Sequence, residues 1–265
     1  MKTNRAAELL EKSVTRIMNS DEYKAALTFR AKLPRYSFRN VWLLYFQKPD
    51  ISMVAGYKVW QSHGRQVRKG EKGLCIFAPM TRKNSDGEAE LFGFKTASVF
   101  DLSQTDGESV PETPRPLRLT GEGYTERACL DTLEHHLKCE GYSVKRATLP
   151  GETNGCIYYK EKAIVLREGL ASAQALKTLV HEYAHGLMHA KATKDTPNDV
   201  RELEAESCAY IVCDSLGLDT SGYSFNYLAG WASDPKDVLP AAQKACKTAD
   251  TILELFTPAP VALAA

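Results

Sequence analysis

The 265 residues carry 34 Lys and Arg against 33 Asp and Glu, a net charge of +1 with a quarter of all residues charged. This is the composition of an ordinary globular protein of one or two domains, with length favouring two; it excludes a polycationic tail protein and a disordered polyanion. No apolar run reaches the length of a membrane span, so no membrane partner is expected. Met1 to Arg5 leads into an amphipathic helix with no signal-peptide pattern, and the seven scattered cysteines lack C-x-x-C spacing. Free thiols in a reducing cytoplasm are the expectation.

In chain order, residues 5–32 predict a pair of helices, with Ala6, Leu9, Leu10, Val14 and Ile17 at helical spacing before a break at Asn19-Ser20-Asp21. From Lys32 to Lys83 there are eleven Lys or Arg and two acidic residues, Asp50 and Glu71, so this segment holds nine excess positive charges. A basic segment in a nearly neutral chain points to a polyanion partner. Rings are interleaved with the charges at Tyr36, Phe38, Trp42, Tyr45, Phe46, Tyr57, Trp60 and Phe77. Aromatic platforms beside cations hold single strands without base readout, although Trp42, Leu43, Leu44 and Phe46 equally suit the core of a small domain. Gly64, Gly70 and Gly73 punctuate a basic turn in which Arg65, Arg68, Lys69 and Lys72 can meet phosphates. A strand over 74–79, a hairpin turn over 82–87 and a strand over 91–100 close this domain.

The ordered set Tyr36-Ser37-x-x-Asn40, Val54-Ala55-Gly56-Tyr57-x-x-Trp60, Gly64-Arg65-x-Val67-Arg68-Lys69-Gly70-Glu71-Lys72-Gly73 and Ser98-Val99-Phe100-Asp101-Leu102-Ser103-Gln104-Thr105 resembles the N-terminal single-stranded-DNA-binding domain of ArdC-type antirestriction proteins. The resemblance covers about residues 20–107 and implies single-stranded DNA as a partner. Arg39, Tyr57, Trp60, Arg65, Arg68, Lys69 and Lys72 are the candidate DNA-binding residues.

Residues 108–119 contain Pro111, Pro114 and Pro116 and read as a linker. Beyond it a helix over 125–140 places Cys129, Leu130, Leu133 and Leu137 on a buried face; the adjacent His135 and His136 point apart and read as surface residues. Two short strands flank a Lys160-Glu161-Lys162 turn, and a helix over 172–190 follows. On that helix lies His181-Glu182-Tyr183-Ala184-His185. Two imidazoles four residues apart face one way and reach one Zn²⁺, with Glu182 beside the open position as general base. His189 lies two turns beyond His181, about 12 Å along the axis, too far to share the metal, and reads as a surface or supporting residue. A helix over 199–216 offers Glu202 and Glu206 on one face, whereas Glu204 points elsewhere and reads as a surface glutamate. A short helix over 223–232, a last helix over 238–256 that packs Ala242, Ala245, Ile252 and Leu255, and a frayed tail over 258–265 complete the chain.

His181-Glu182-x-x-His185 followed by Glu202-x-x-Ala205-Glu206 resembles the gluzincin arrangement. It implies Glu202 as third ligand and Glu206 as acceptor for a ligand imidazole N–H, with the exchanged assignment open because Asp is commoner at the last position. ArdC-type proteins pair their DNA-binding domain with such a metallopeptidase-like domain, so both halves point to one family. The expected architecture is α+β: a small basic α+β DNA-binding domain over 1–107, a linker over 108–119, a mainly helical zincin-like metallopeptidase domain over 120–256, and a flexible tail over 257–265. The expected function is antirestriction through single-stranded-DNA binding and a zinc-dependent peptidase-like site acting on a protein substrate. The alternatives are a DNA-binding protein with a non-catalytic zinc domain and a regulatory peptidase of ImmA/IrrE type that cleaves a repressor.

Overall fold

The computed structural model describes residues 5–34, 36–83, 88–110, 125–191, 196–220 and 235–256. The chain forms two compact units that divide between Pro116 and Leu117. The tip of the 82–87 turn, most of the linker, the 223–232 helix and the tail lie outside the described residues.

In the first unit, α1 (Arg5–Ser13) and α2 (Ser20–Arg30) are separated by a 3-10 turn at Arg16–Met18. The break expected at Asn19 is a helix start: its side chain accepts from the N–H groups of Asp21 and Glu22 at 3.0 and 3.1 Å, so two otherwise unpaired donors of α2 are satisfied. Replacing Asn19 by Ala is expected to cost about 1 kcal/mol, read as a lower urea midpoint, with Asn19→Ser close to wild type. Next come α3 (Phe38–Gln47), β1 (Val54–Ala55), α4 (Tyr57–Ser62), β2 (Arg65–Val67), β3 (Leu74–Lys83), β4 (Ala89–Asp101) and β5 (Thr105–Gly107). The strands form an antiparallel sheet in the order β1-β4-β3 and a separate antiparallel pair, β2 with β5.

Helix α3 is the core of this unit, with Phe38, Val41, Trp42, Leu43 and Leu44 buried and the Trp42 indole N–H donating to Ser13 Oγ at 2.9 Å. It also closes a sheet edge. Asn40 Nδ2 donates to the Phe77 carbonyl and Phe77 N–H donates to Asn40 Oδ1, both at 2.9 Å; Gln47 makes the same paired contacts with Cys75 at 2.9 and 2.8 Å. Two side-chain amides thus take the place of a neighbouring strand along β3, where bare backbone would invite another chain. Asp101 holds the other end. It is buried, accepts from the N–H groups of Ser52 and Met53, and starts a 3-10 turn whose Gln104 donates to Glu71 Oε2 and the Lys72 carbonyl at 2.9 and 3.0 Å. The Asp101-to-Gln104 motif is therefore a clamp on the basic turn. Gly70 in that turn has φ +92°, a left-handed conformation that a side chain would strain.

The second unit contains α5 (Glu126–Cys139), β6 (Ser143–Ala147), β7 (Gly155–Tyr158), β8 (Ala163–Arg167), α6 (Ser172–His189), α7 (Asn198–Ser215) and α8 (Pro235–Glu254). The sheet order is β6-β8-β7, with β6 parallel and β7 antiparallel to β8. Helix α6 buries Ala175, Leu176, Leu179, Val180 and Ala184, and packs on α5, α7, α8 and the sheet. It meets β7 closely: a Cβ on Gly155 would stand 2.5 Å from Thr178 Cγ2 and 3.1 Å from Glu182 Cγ, so only glycine lets the strand pass over the motif. His135 is exposed, but His136 is half-buried with Nε2 3.3 Å from the Tyr183 hydroxyl. The molecule is thus α+β in both units. No described helix is long and apolar enough to cross a membrane, and all seven cysteines are free thiols.

Candidate metal centre and nucleic-acid face

Four-residue spacing on α6 brings His181 and His185 together with Nε2 atoms 3.1 Å apart. Helix α7 supplies the third group. Glu202 Oε2 lies 3.4 Å from His181 Nε2, and Glu202 Oε1 lies 3.5 Å from His185 Nε2. Among the described residues, these three are the group whose ligand atoms converge, all within 4.8 Å of one another. Ligands about 2.0–2.2 Å from a tetrahedral cation stand about 3.3–3.5 Å apart, so the triangle has the size such a cation requires.

Its electrostatics fit the same occupant. Burial, the largest single influence on His181, draws its pKa down, yet hydrogen bonds to Glu202 and Glu206 outweigh it and hold the ring up at about 9. The facing imidazoles of His181 and then His185 hold Glu202 far below the usual carboxylate range. The pocket therefore demands positive charge at its centre. Glu206 sits behind His181, with Oε2 3.2 Å from Nδ1 and Oε1 3.1 Å from Lys177 Nζ. A carboxylate there accepts from the Nδ1–H and leaves Nε2 as the ring nitrogen that faces Glu202 and the site. Burial opposes ionisation of Glu206, but His181 and Lys177 more than offset it and its pKa is lowered.

Glu182 lines the same cleft as His181, His185 and Glu202, and burial pushes its carboxyl up. Tyr159, Asn198 and Arg201 also line this cleft, of about 360 Å³. Tyr159 and Arg201 are donors able to meet a developing oxyanion. They went unnoticed in the sequence because neither stands at a motif position; their approach depends on β7 and α7 flanking one cleft.

Of the two places the sequence left open for His189, the structure rules out the surface and leaves the supporting one: it is buried, with Nδ1 2.9 Å from His185 Nδ1 and Nε2 2.7 Å from Glu204 Oε2. Glu204 is likewise buried and pairs with His189 and with Lys244 Nζ at 2.7 Å. It does point away from Glu202, but toward the core, where α8 delivers the lysine. The i+4 spacing of His189 from His185 was the one available signal; Lys244 had none.

The candidate DNA-binding residues fare unequally. Trp60 is 1% exposed and donates its indole N–H to the Phe100 carbonyl at 2.9 Å, which makes it core and beyond reach of a base. Arg65 spends its guanidinium on the Thr105 side chain and carbonyl and on the carbonyls of Gly107 and Glu108, so it fastens β2 to β5. Arg68 is paired with Glu71 at 2.8 Å and Asp106 at 3.4 Å, which neutralises it locally. Arg39, Lys69 and Lys72 are exposed, and Tyr57 is 42% exposed. The structure adds rings outside the basic segment: Phe92 and Phe94 on β4 are 53% and 50% exposed, and the Arg82 guanidinium lies over Phe92 at 5.9 Å. The sequence marked a strand over 91–100 without showing which of its side chains face water.

Residues 3–119 match the family described as the N-terminal domain of anti-restriction factor ArdC. An uncharacterized protein of Bacillus anthracis is 26% identical over 279 residues, covering 87% of this chain and 47% of that protein, so the chain spans about half the length of this curated relative. Two solved structures share the fold: the antirestriction ArdC protein from plasmid R388 without metal, at 24% identity and a TM-score of 0.61, and its Mn(II)-bound form, at 22% and 0.63. Each alignment covers 93% of this chain and 97% of the other.

Proposed function

Starting from a chain that is ArdC-type, belonging over residues 3–119 to the N-terminal domain family of that anti-restriction factor and sharing the ArdC fold beyond it, we propose an antirestriction protein that binds single-stranded DNA and hydrolyses a peptide bond. The observation that carries the hydrolytic half is the convergence of His181 Nε2, His185 Nε2 and a Glu202 oxygen in a cleft also lined by Glu182.

His181, His185 and Glu202 would hold a divalent cation, which supplies Lewis acidity that polarises a carbonyl and acidifies water. Two imidazoles and one carboxylate suit Zn²⁺, and the Irving–Williams order has such a site bind Zn²⁺ more tightly than the Mn(II) seen in the relative. Glu182 takes the proton of the attacking water on its carboxylate and returns it to the leaving amide nitrogen. Tyr159 and Arg201 are positioned along the cleft to donate to the carbonyl oxygen as negative charge develops there. Glu206 keeps the Nδ1 proton on His181.

In the first unit, Tyr57, Phe92 and Phe94 are the rings that unstacked bases can reach, and Arg39, Lys69 and Lys72 are cations placed to meet phosphates. The full chain is expected to bind single-stranded oligonucleotides more tightly than duplex, with little sequence preference and with affinity falling steeply as salt rises. Charge reversal at Lys69 and Lys72 together should weaken all sequences alike and lower the log–log salt slope by about 0.7 for each phosphate no longer neutralised. A folded chain that binds no oligonucleotide at low salt would end the DNA half of the proposal. Trp60 is unsuited to this test, because truncating it would empty the core.

A further inference from the structure

His189 has no part in holding the cation, yet both of its ring nitrogens are committed. Nε2 faces Glu204 Oε2 at 2.7 Å, and Glu204 shares that oxygen with Lys244 Nζ at 2.7 Å. An ionised carboxylate can only accept, so the hydrogen between them sits on His189 Nε2. With Lys244 balancing Glu204, a neutral His189 leaves its Nδ1 as a lone pair. Two Nδ1 atoms 2.9 Å apart form a hydrogen bond only if one donates, and here the donor is His185. His185 then carries its proton on Nδ1, and its Nε2 lone pair is turned toward His181 Nε2 at 3.1 Å and Glu202 Oε1 at 3.5 Å.

We propose that His189, Glu204 and Lys244 are positioning residues, a relay that runs from the half-exposed Lys244 through the buried Glu204 and His189 and fixes His185 in the tautomer whose Nε2 can ligate a cation. Two second partners thus act in parallel, Glu206 for His181 and His189 for His185, the latter passing the demand of a carboxylate through an intervening ring. The purpose of the extra ring is reach: α7 brings Glu206 to His181 and Glu204 to His189, one turn of α6 beyond His185. Burial of His189 and Glu204 follows, since a carboxylate is tolerated in a core when paired and hydrogen-bonded.

The inference rests on the metal reading of this site, but its first readout does not. Long-range ¹H–¹⁵N correlation NMR of the ¹⁵N-labelled full chain, stripped with a chelator, reports which ring nitrogen of each histidine is protonated. Wild type is expected to show His185 protonated on Nδ1. In His189→Leu, His185 should move toward the Nε2–H tautomer, and the Kd for Zn²⁺ should rise about 10–100-fold. In His189→Gln the amide oxygen can accept from His185 and the amide N–H can donate to Glu204, so tautomer and affinity should stay close to wild type. Circular dichroism identifies any variant that fails to fold, in which case the wild-type tautomer and His189→Gln decide. Nε2–H on His185 in the wild type, or an unchanged tautomer and Kd in a folded His189→Leu, would overturn the relay. Should wild type bind no Zn²⁺, the metal reading falls, and the tautomer comparison still judges the relay.

Discussion

Substitution of Glu202 by Ala is expected to abolish the binding of one Zn²⁺ per chain, as His181→Ala and His185→Ala should. Its oxygens lie 3.4 and 3.5 Å from the two imidazole nitrogens, and among the described residues no other carboxylate lies within ion-pair distance of both Nε2 atoms. Removing it leaves two ligands, and affinity should fall by more than the 10–100-fold typical of losing an outer partner. Glu206→Ala should fall within that range of about 10–100-fold, because it removes the acceptor behind His181 and no ligand. Metal content after gel filtration and a competition titration separate the two. A second consequence is thermal: with Zn²⁺ at about 100 times Kd, binding adds about 2.7 kcal/mol to stability, and chelation should remove it. Wild type should therefore melt lower in EDTA, while Glu202→Ala should melt at one temperature with or without it. If Glu206→Ala loses the ion and Glu202→Ala keeps it, the two roles must be exchanged.

Glu182→Gln is expected to keep the ion, the fold and DNA binding while peptide hydrolysis drops by about 10²–10⁴-fold, the usual contribution of a positioned base. Glutamine preserves the shape and the close packing against Gly155, so the loss would be one of proton transfer. The comparison is made on a denatured protein substrate in vitro and, in cells, on the survival of incoming unmodified DNA under restriction. Protection lost together with hydrolysis would tie the antirestriction role to the metal site. Full protection by Glu182→Gln would instead leave the first unit as the active part and sink the catalytic reading.

Much of this protein was legible in its order of residues, and for a physical reason. Helical periodicity is local, so His181 and His185 on one face and Glu202 and Glu206 on another could be read from spacing alone, as could the break between α1 and α2 near Asn19. The basic segment was equally visible, since net charge is a count. Which of its charges are spent is a matter of pairing across distant strands: β5 takes up Arg65, while Glu71 and Asp106 take up Arg68, leaving Lys69 and Lys72 exposed. Trp60 could not be told from a stacking platform until the carbonyl of Phe100 was seen to hold its indole, forty residues away. The motif residues Asn40 and Gln104 carried no hint that they serve as backbone partners for β3 and for the basic turn. His189 shows the limit most clearly. Distance along the helix set it apart from His181 and Glu202, but only the packing of α7 and α8 against α6 set Glu204 and Lys244 beyond it and brought it against His185. Spacing along one helix determines which side chains share a face; what stands opposite that face is decided by tertiary packing, because the partners come from elements that the chain reaches only after folding back.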